Sequence, residues 1–218
     1  MLVELHCHTD ASKDSLMRPA KMVRLCRQRG IGKVAITDHN TIAGALAMQA
    51  LAPELVIVGE EIMTTQGELL AYFVKEEVPR GLAPAEAVAR LRAQGAIIGI
   101  AHPFDRLRNG AWHEADLAAI VPLVDAVEVF NSRCLYAADN ERALAFARQH
   151  GKPGLVGSDA HSYMELGQAA LKADRANTPA ELLAALNTGE RITRTSPPLI
   201  HLTSTFARFY KRLRGRPG

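Results

Sequence analysis

Imidazoles, carboxylates and one amide recur in this chain directly at the ends of short apolar runs. The first run, Leu2–His6, delivers His6 and His8 (HCHT), and the next leads to Asp38 and His39 (TDHN). Later runs end in Glu60-Glu61, in His102 (AHPF), in Asn131, and in Asp159 and His161 (GSDAH). Nitrogen and oxygen donors without thiolates suit Zn²⁺, Mn²⁺ or Fe. The donors outnumber what one ion coordinates, so two or three divalent ions are implied. A pair of ions roughly 3.5–4 Å apart can clamp the attacking and leaving oxygens of a phosphoryl displacement.

Each residue also has an ordinary reading. A lone histidine at a strand end is commonly a hydrogen-bonded surface group. HxH on an extended segment, however, turns both rings to one face. Asp38 suits a helix cap as well as catalysis. Glu60 and Glu61 point to opposite faces, so at most one enters a site. Asp14, in SKDS, has the setting of a solvated carboxylate. Joint placement at successive strand ends is what outweighs these readings. Arg133, two residues after Asn131, shares its side and is expected beside an anionic substrate. Arg106 and Arg108 follow His102 as weaker candidates for that role. Cys7 reads as packing, His150 as a helix-end cation, and His113 and His201 as surface.

The elements that must position these groups alternate regularly. Strands are predicted at Leu2–His6, Lys33–Thr37, Leu55–Glu61, Glu68–Val74, Ala96–Ala101, Ala126–Phe130 and Pro153–Gly157. Helices fall at Pro19–Arg29, from Thr41 to about Leu51, at Pro84–Gln94, around Glu114–Val121, at Tyr136–His150, and from Thr178-Pro179 to near Gly189. Nearly all-apolar strands alternating with helices predict a parallel sheet covered by helices. A flat sheet would scatter the polar strand ends, whereas a barrel gathers them on one rim. An α/β barrel is therefore favoured.

The chain has 218 residues, 48% of them hydrophobic and 22% charged, enough for one sizeable domain. No apolar run is long enough to span a membrane, and the N-terminus lacks a signal-peptide pattern. Three widely spaced cysteines without CxxC predict a reducing, cytoplasmic setting. Net charge is +3, and residues 201–218 supply Arg208, Lys211, Arg212, Arg214 and Arg216 with no acidic group. The first 200 residues thus form the catalytic body, and 201–218 a basic tail, expected to be helical. Phe206, Phe209, Tyr210 and Leu213 recur at helical spacing within it. The tail is expected to dock that apolar face on the barrel or on a second subunit. Deleting residues 204–218 should then leave hydrolysis of a small substrate unchanged. A tail that binds single-stranded nucleic acid, with a nuclease site, is the rival.

The order HxH, Asp, TDH, GxE, AHP, GSDxH resembles the polymerase and histidinol phosphatase (PHP) superfamily. It stands here as His6-Cys7-His8, Asp14, Thr37-Asp38-His39, Gly59-Glu60-Glu61, Ala101-His102-Pro103 and Gly157-Ser158-Asp159-Ala160-His161. The VEVFNSR stretch and the later GSDAHSYMELG stretch look like the small stand-alone subgroup with a PHP-associated C-terminal segment. The resemblance implies a distorted seven-stranded (β/α) barrel and ligands His6, His8, Asp14, His39, Glu61, His102, Asp159 and His161. It also implies hydrolysis of a small phosphomonoester or nucleotide by a metal-bridged hydroxide. Several members carry histidine where this chain has Asn131, a poorer ligand, which weakens one metal position. A non-catalytic metal-binding regulatory domain is a further rival, opposed by the nearly complete ligand set.

Overall fold

Val- and Ile-rich runs form the central strands at the expected places in the computed structural model, which describes residues 1–108 and 111–215. In chain order these are β1 (Leu2–Cys7), β2 (Ile31–Ile36), β3 (Val56–Met63), β4 (Glu68–Tyr72), β5 (Ile97–Ile100), β6 (Ala126–Asn131) and β7 (Gly154–Gly157). Two short strands, β8 (Ala169–Lys172) and β9 (Glu190–Thr193), were not expected. The helices are α1 (Pro19–Gln28), α2 (Ala43–Gln49), α3 (Pro84–Ala93), α4 (Glu114–Ile120), α5 (Ala137–Gln149), α6 (Pro179–Thr188) and α7 (His201–Leu213). Proline opens α1, α3 and α6, and Thr178 caps α6 by accepting from Glu181 N at 3.2 Å. Thr41 does not occupy the cap of α2, which begins after Ile42 without a side-chain cap.

The strands form one sheet in the order β7-β6-β5-β4-β3-β2-β1-β8-β9. It curls until the segment after β7 returns to β1: His8 N donates to Ala160 O at 2.9 Å, and Cys7 bridges Ala160. The barrel is thus nearly closed by the expected seven strands, and β8–β9 extend it as a hairpin on β1. A parallel sheet was expected, but β4 runs antiparallel to both β3 and β5. The connection from Met63 to Glu68 is too short for a crossover and makes a hairpin instead. This reversal brings the first residue of β4 to the rim where the parallel strands end.

Alternation sorts the two faces of the barrel wall. Leu5, Ile36, Ile57, Ile62, Leu69, Leu70 and Ile98 are fully buried in the core, with Tyr72 the largest side chain among them. Cys7, Cys26 and Cys134 are buried and unbridged. Among the described residues no helix is long and apolar enough to cross a membrane.

The basic tail is helical, and of the two docking surfaces expected for its apolar face the barrel does not take it up. α7 buries Ser204, Ala207 and Lys211. It leaves Leu202, Phe206, Phe209 and Leu213 between 60% and 71% exposed. Its buried side instead meets polar groups of the β1–α1 loop, where Lys211 Nζ donates to Asp10 O at 2.7 Å and to Ser12 O. Leu202 and Phe206 border an apolar hollow with Leu16, Met17 and Tyr163. Arg216, counted with the tail, lies outside the described residues.

Candidate metal centre

The strand ends gather around Glu61. Its carboxylate lies 3.3 Å from His6 Nε2, 3.3 Å from His8 Nε2, 3.0 Å from His39 Nδ1 and 2.9 Å from His102 Nε2. Glu60, the next residue on β3, turns to the opposite face and accepts from Val78 N at 3.0 Å. Asp159 sits 3.2 Å from His8 and 3.6 Å from His6. Asp14 reaches over from the β1–α1 loop to His161 Nε2 at 3.4 Å and His39 Nε2 at 3.6 Å. All eight residues to which the resemblance points therefore form one cluster, and Asp14, His39 and His161 of it line a cavity.

The rings are aimed from behind. His6 Nδ1 pairs with Glu128 Oε1 at 2.9 Å, His8 Nδ1 with Ser12 Oγ at 3.2 Å, and His161 Nδ1 with Asp159 O at 2.8 Å. Each ring then turns Nε2 towards the carboxylates, the arrangement by which outer partners orient metal-ligating histidines. Gly157 makes room for this, since a Cβ there would run into the His6 side chain. His102 and Asp159 both adopt left-handed backbone, with φ of 24° and 51°. Such conformations cost about 1–3 kcal/mol and gather at functional sites.

The donor set fits divalent ions. His6 Nε2, Glu61 Oε2 and Asp14 Oδ1 are buried with no hydrogen-bond partner within the fold, a state that a cation relieves. His8, His39 and His161 converge as one group, His6, His8 and Glu61 as a second, and His39, Glu61 and Glu68 as a third. Burial raises the Glu61 and Asp159 carboxyls, yet positive neighbours prevail. His6 and His39 hold Glu61, and Arg108 and His6 hold Asp159, well below the usual carboxylate range. Burial, with His161 and His39 alongside, pushes His8 well below the ordinary imidazole value and keeps its ring neutral for binding.

Three expected residues sit differently from their readings. Asp38 does not face the cluster or the cavity. It accepts from Thr9 N at 2.7 Å, Thr9 Oγ1 at 2.6 Å and Ser12 Oγ at 2.6 Å, so its carboxylate is committed to holding the β1–α1 loop. Asn131 presents nitrogen, not oxygen: Nδ2 donates to Asp159 Oδ2 at 3.2 Å and Glu128 Oε2 at 3.3 Å, while Oδ1 accepts from Arg133 N at 2.9 Å. An amide NH₂ cannot ligate a cation. Arg133 does reach the cavity wall, but from a buried position, donating to Ser204 Oγ at 2.6 Å with Glu165 at 3.5 Å.

Three residues were undervalued. Glu68, the first residue of β4, lies 3.5 Å from His102 and 3.8 Å from His39. Arg108 contacts Asp159 directly and Asp105 at 3.2 Å, whereas Arg106 pairs with Asp139 at 2.6 Å, away from the floor. His201 is half-buried, its ring 3.2 Å from Arg133 O. It lines a cavity of about 340 Å³ above the cluster, together with Ser204, Thr205 and Arg208 of α7. That volume is of small-ligand size.

Residues 137–190 match the family described as PHP-associated. An uncharacterized protein of Methanocaldococcus jannaschii is 36% identical over 180 residues, spanning 81% of this chain and 72% of that protein. Among solved structures, a two-domain Bacteroides vulgatus protein containing a predicted PHP-like metal-dependent phosphoesterase superposes with a TM-score of 0.70. Its identity is 17%, over 89% of this chain and 65% of that one. The lesion-specific endonuclease Q of Pyrococcus furiosus gives a TM-score of 0.60 at 18% identity, over 90% of this chain and 59% of that one. At such identities these two structures speak to the fold.

Proposed function

Because this chain belongs to the polymerase and histidinol phosphatase (PHP) superfamily, we propose that its rim cluster is the centre of a metal-dependent phosphoesterase. The observation that carries this reading is the convergence of five imidazoles on Glu61, Asp159 and Asp14, with buried donor atoms left unpaired within the fold. His6, His8, Asp14, His39, Glu61, His102, Asp159 and His161 are assigned as ligands of two or three divalent ions, with Glu68 added. Mn²⁺, Zn²⁺ and Fe²⁺ all suit this donor set. Bound there, such ions supply Lewis acidity and a water nucleophile at neutral pH.

The protein's own groups do the rest. Glu61, central to four imidazoles, would give its carboxylate to the ions that those rings hold. Arg108 and Arg133, on the wall of the cavity, face the charge of the phosphoryl oxygens. Asp38 is assigned to holding the loop that carries Asp14, and Asn131 to orienting Asp159 rather than ligation. The substrate is a small phosphorylated molecule.

The test is a screen of phosphomonoesters, dinucleotides and short RNAs with metal-stripped protein reloaded with Mn²⁺, Zn²⁺ or Fe²⁺. Metal-dependent release of phosphate is expected from at least one monoester. Full metal loading with no turnover of any of these compounds would make the domain a non-catalytic metal binder.

A further inference from the structure

The cations around the cavity are of two kinds. Arg108 and Arg133 are answered within the fold, by Asp159 and Asp105 and by Glu165. Lys13, Arg80 and Arg208 also line the cavity, yet none of them pairs with a carboxylate among the described residues. Arg208 makes its one hydrogen bond to Thr205 on its own helix, at 3.3 Å. These three side chains are exposed and come from separate segments: the β1–α1 loop, the β4–α3 connection and α7.

A solvated lysine or arginine is ordinary by itself. Three from distant parts of the chain, converging on one cavity without a counter-charge, are not. The cavity is bipolar as a result. Its buried lining presents Asp14, Glu68, His39 and His161, the groups assigned to metal, with Asp105 paired to Arg108, whereas the charged side chains exposed at its mouth are all positive. A phosphoester with a single phosphate would place its charge on the floor and leave the mouth unanswered.

We propose that the mouth is a second anion subsite, and that the preferred substrate carries a further phosphate beyond the one cleaved, held by Arg208, Arg80 and Lys13. This rests on the phosphoesterase reading above. Guanidinium groups form paired, charge-assisted hydrogen bonds to phosphate. The second phosphate belongs either to a free bisphosphorylated small molecule or to the neighbouring nucleotide of a single strand. Both present the same group to the mouth.

The experiment compares the Mn²⁺-loaded full chain on fructose 6-phosphate and fructose 1,6-bisphosphate, and on a dinucleotide with and without a 5′-phosphate. The ratio of kcat/KM for the two-phosphate over the one-phosphate member of each pair is the readout. The unmodified protein is expected to prefer two phosphates. Arg208→Gln, at an exposed position, should lower that preference about tenfold, chiefly through KM. Arg80→Gln on top of it should lower it further. Arg212→Gln, on α7 but not on the cavity, should leave the preference in place. Whichever pair shows the larger preference identifies the source of the second phosphate. No preference in the unmodified protein, or an Arg208→Gln effect equal on both members of a pair, overturns the subsite. Should no phosphoester be turned over, calorimetric binding of the same sugar phosphates decides separately. Tighter binding of the bisphosphate that Arg208→Gln abolishes would uphold the subsite while the phosphoesterase reading fails.

Discussion

Glu61 touches four imidazoles, so its replacement is expected to disturb the centre more than that of any single histidine. Glu61→Gln should lower turnover by at least about a hundredfold and reduce metal content, with the far-ultraviolet circular dichroism unchanged. Metal analysis beside kinetics checks this, and near-normal metal content with full turnover would remove Glu61 from the ligand set. Asp38 makes a different prediction. Asp38→Ala strips the β1–α1 loop of three hydrogen bonds to a buried carboxylate and should cost about 2–3 kcal/mol of stability in urea unfolding. Gly44 packs where a Cβ would collide with Asp38 and Thr9, so Gly44→Ala should reproduce part of that loss. The histidines and Asp159 were legible in the sequence because each follows a strand that ends at the rim. Glu68 was not, because it begins its strand, and only the reversal of β4 brings that end to the rim. The direction of the Asn131 amide was equally hidden, since it depends on Glu128 and the Arg133 main chain rather than on local spacing.

Elements read well wherever apolar periodicity met clear stops. Gly30, Gly95 and Gly151 follow α1, α3 and α5 with φ of 68°, 77° and 62°, a conformation that suits glycine at helix ends. β8 and β9 escaped because Ala169–Lys172 has the composition of a helix and Glu190–Thr193 is a largely exposed edge. α7 was read as helical, but apolar spacing could not show that the side it buries within this chain carries Ser204, Ala207 and Lys211. Its contacts now argue against a separable tail. Ser204 holds Arg133, and Lys211 ties main-chain carbonyls of the loop that carries Asp14. Deleting residues 204–218 is therefore expected to lower small-substrate hydrolysis about tenfold or more, where the sequence alone predicted it largely unchanged. Lys211→Met should act through the Asp14 loop, weakening metal retention during dialysis against a mild chelator, with Lys211→Arg restoring part of it. Unchanged turnover and metal content in the truncated protein would return α7 to a packing role.

At the scale of the molecule, the cluster makes stability a function of metal. Crowded carboxylates and the orphaned His6 Nε2 favour any cation that the unfolded chain cannot bind as well. At free Mn²⁺ a hundredfold above its dissociation constant, linkage gives about 2.7 kcal/mol. For a chain of this size that corresponds to a rise in Tm of roughly 5–10 °C over the metal-stripped protein. A thermal melt with and without Mn²⁺ tests it, and no shift at saturating ion would argue against a preformed centre. The contact between Lys211 and the β1–α1 loop carries a last implication, one of timing. The loop holding Asp14 is synthesised before α7, and the lysine that ties it down comes 199 residues after Ser12. During translation the β1–α1 loop waits for the rest of the barrel, so α7 can secure the Asp14 side of the centre only after β9 has been made. Metal bound by a nascent chain halted at residue 200 should accordingly exchange faster than metal bound by a chain that includes α7.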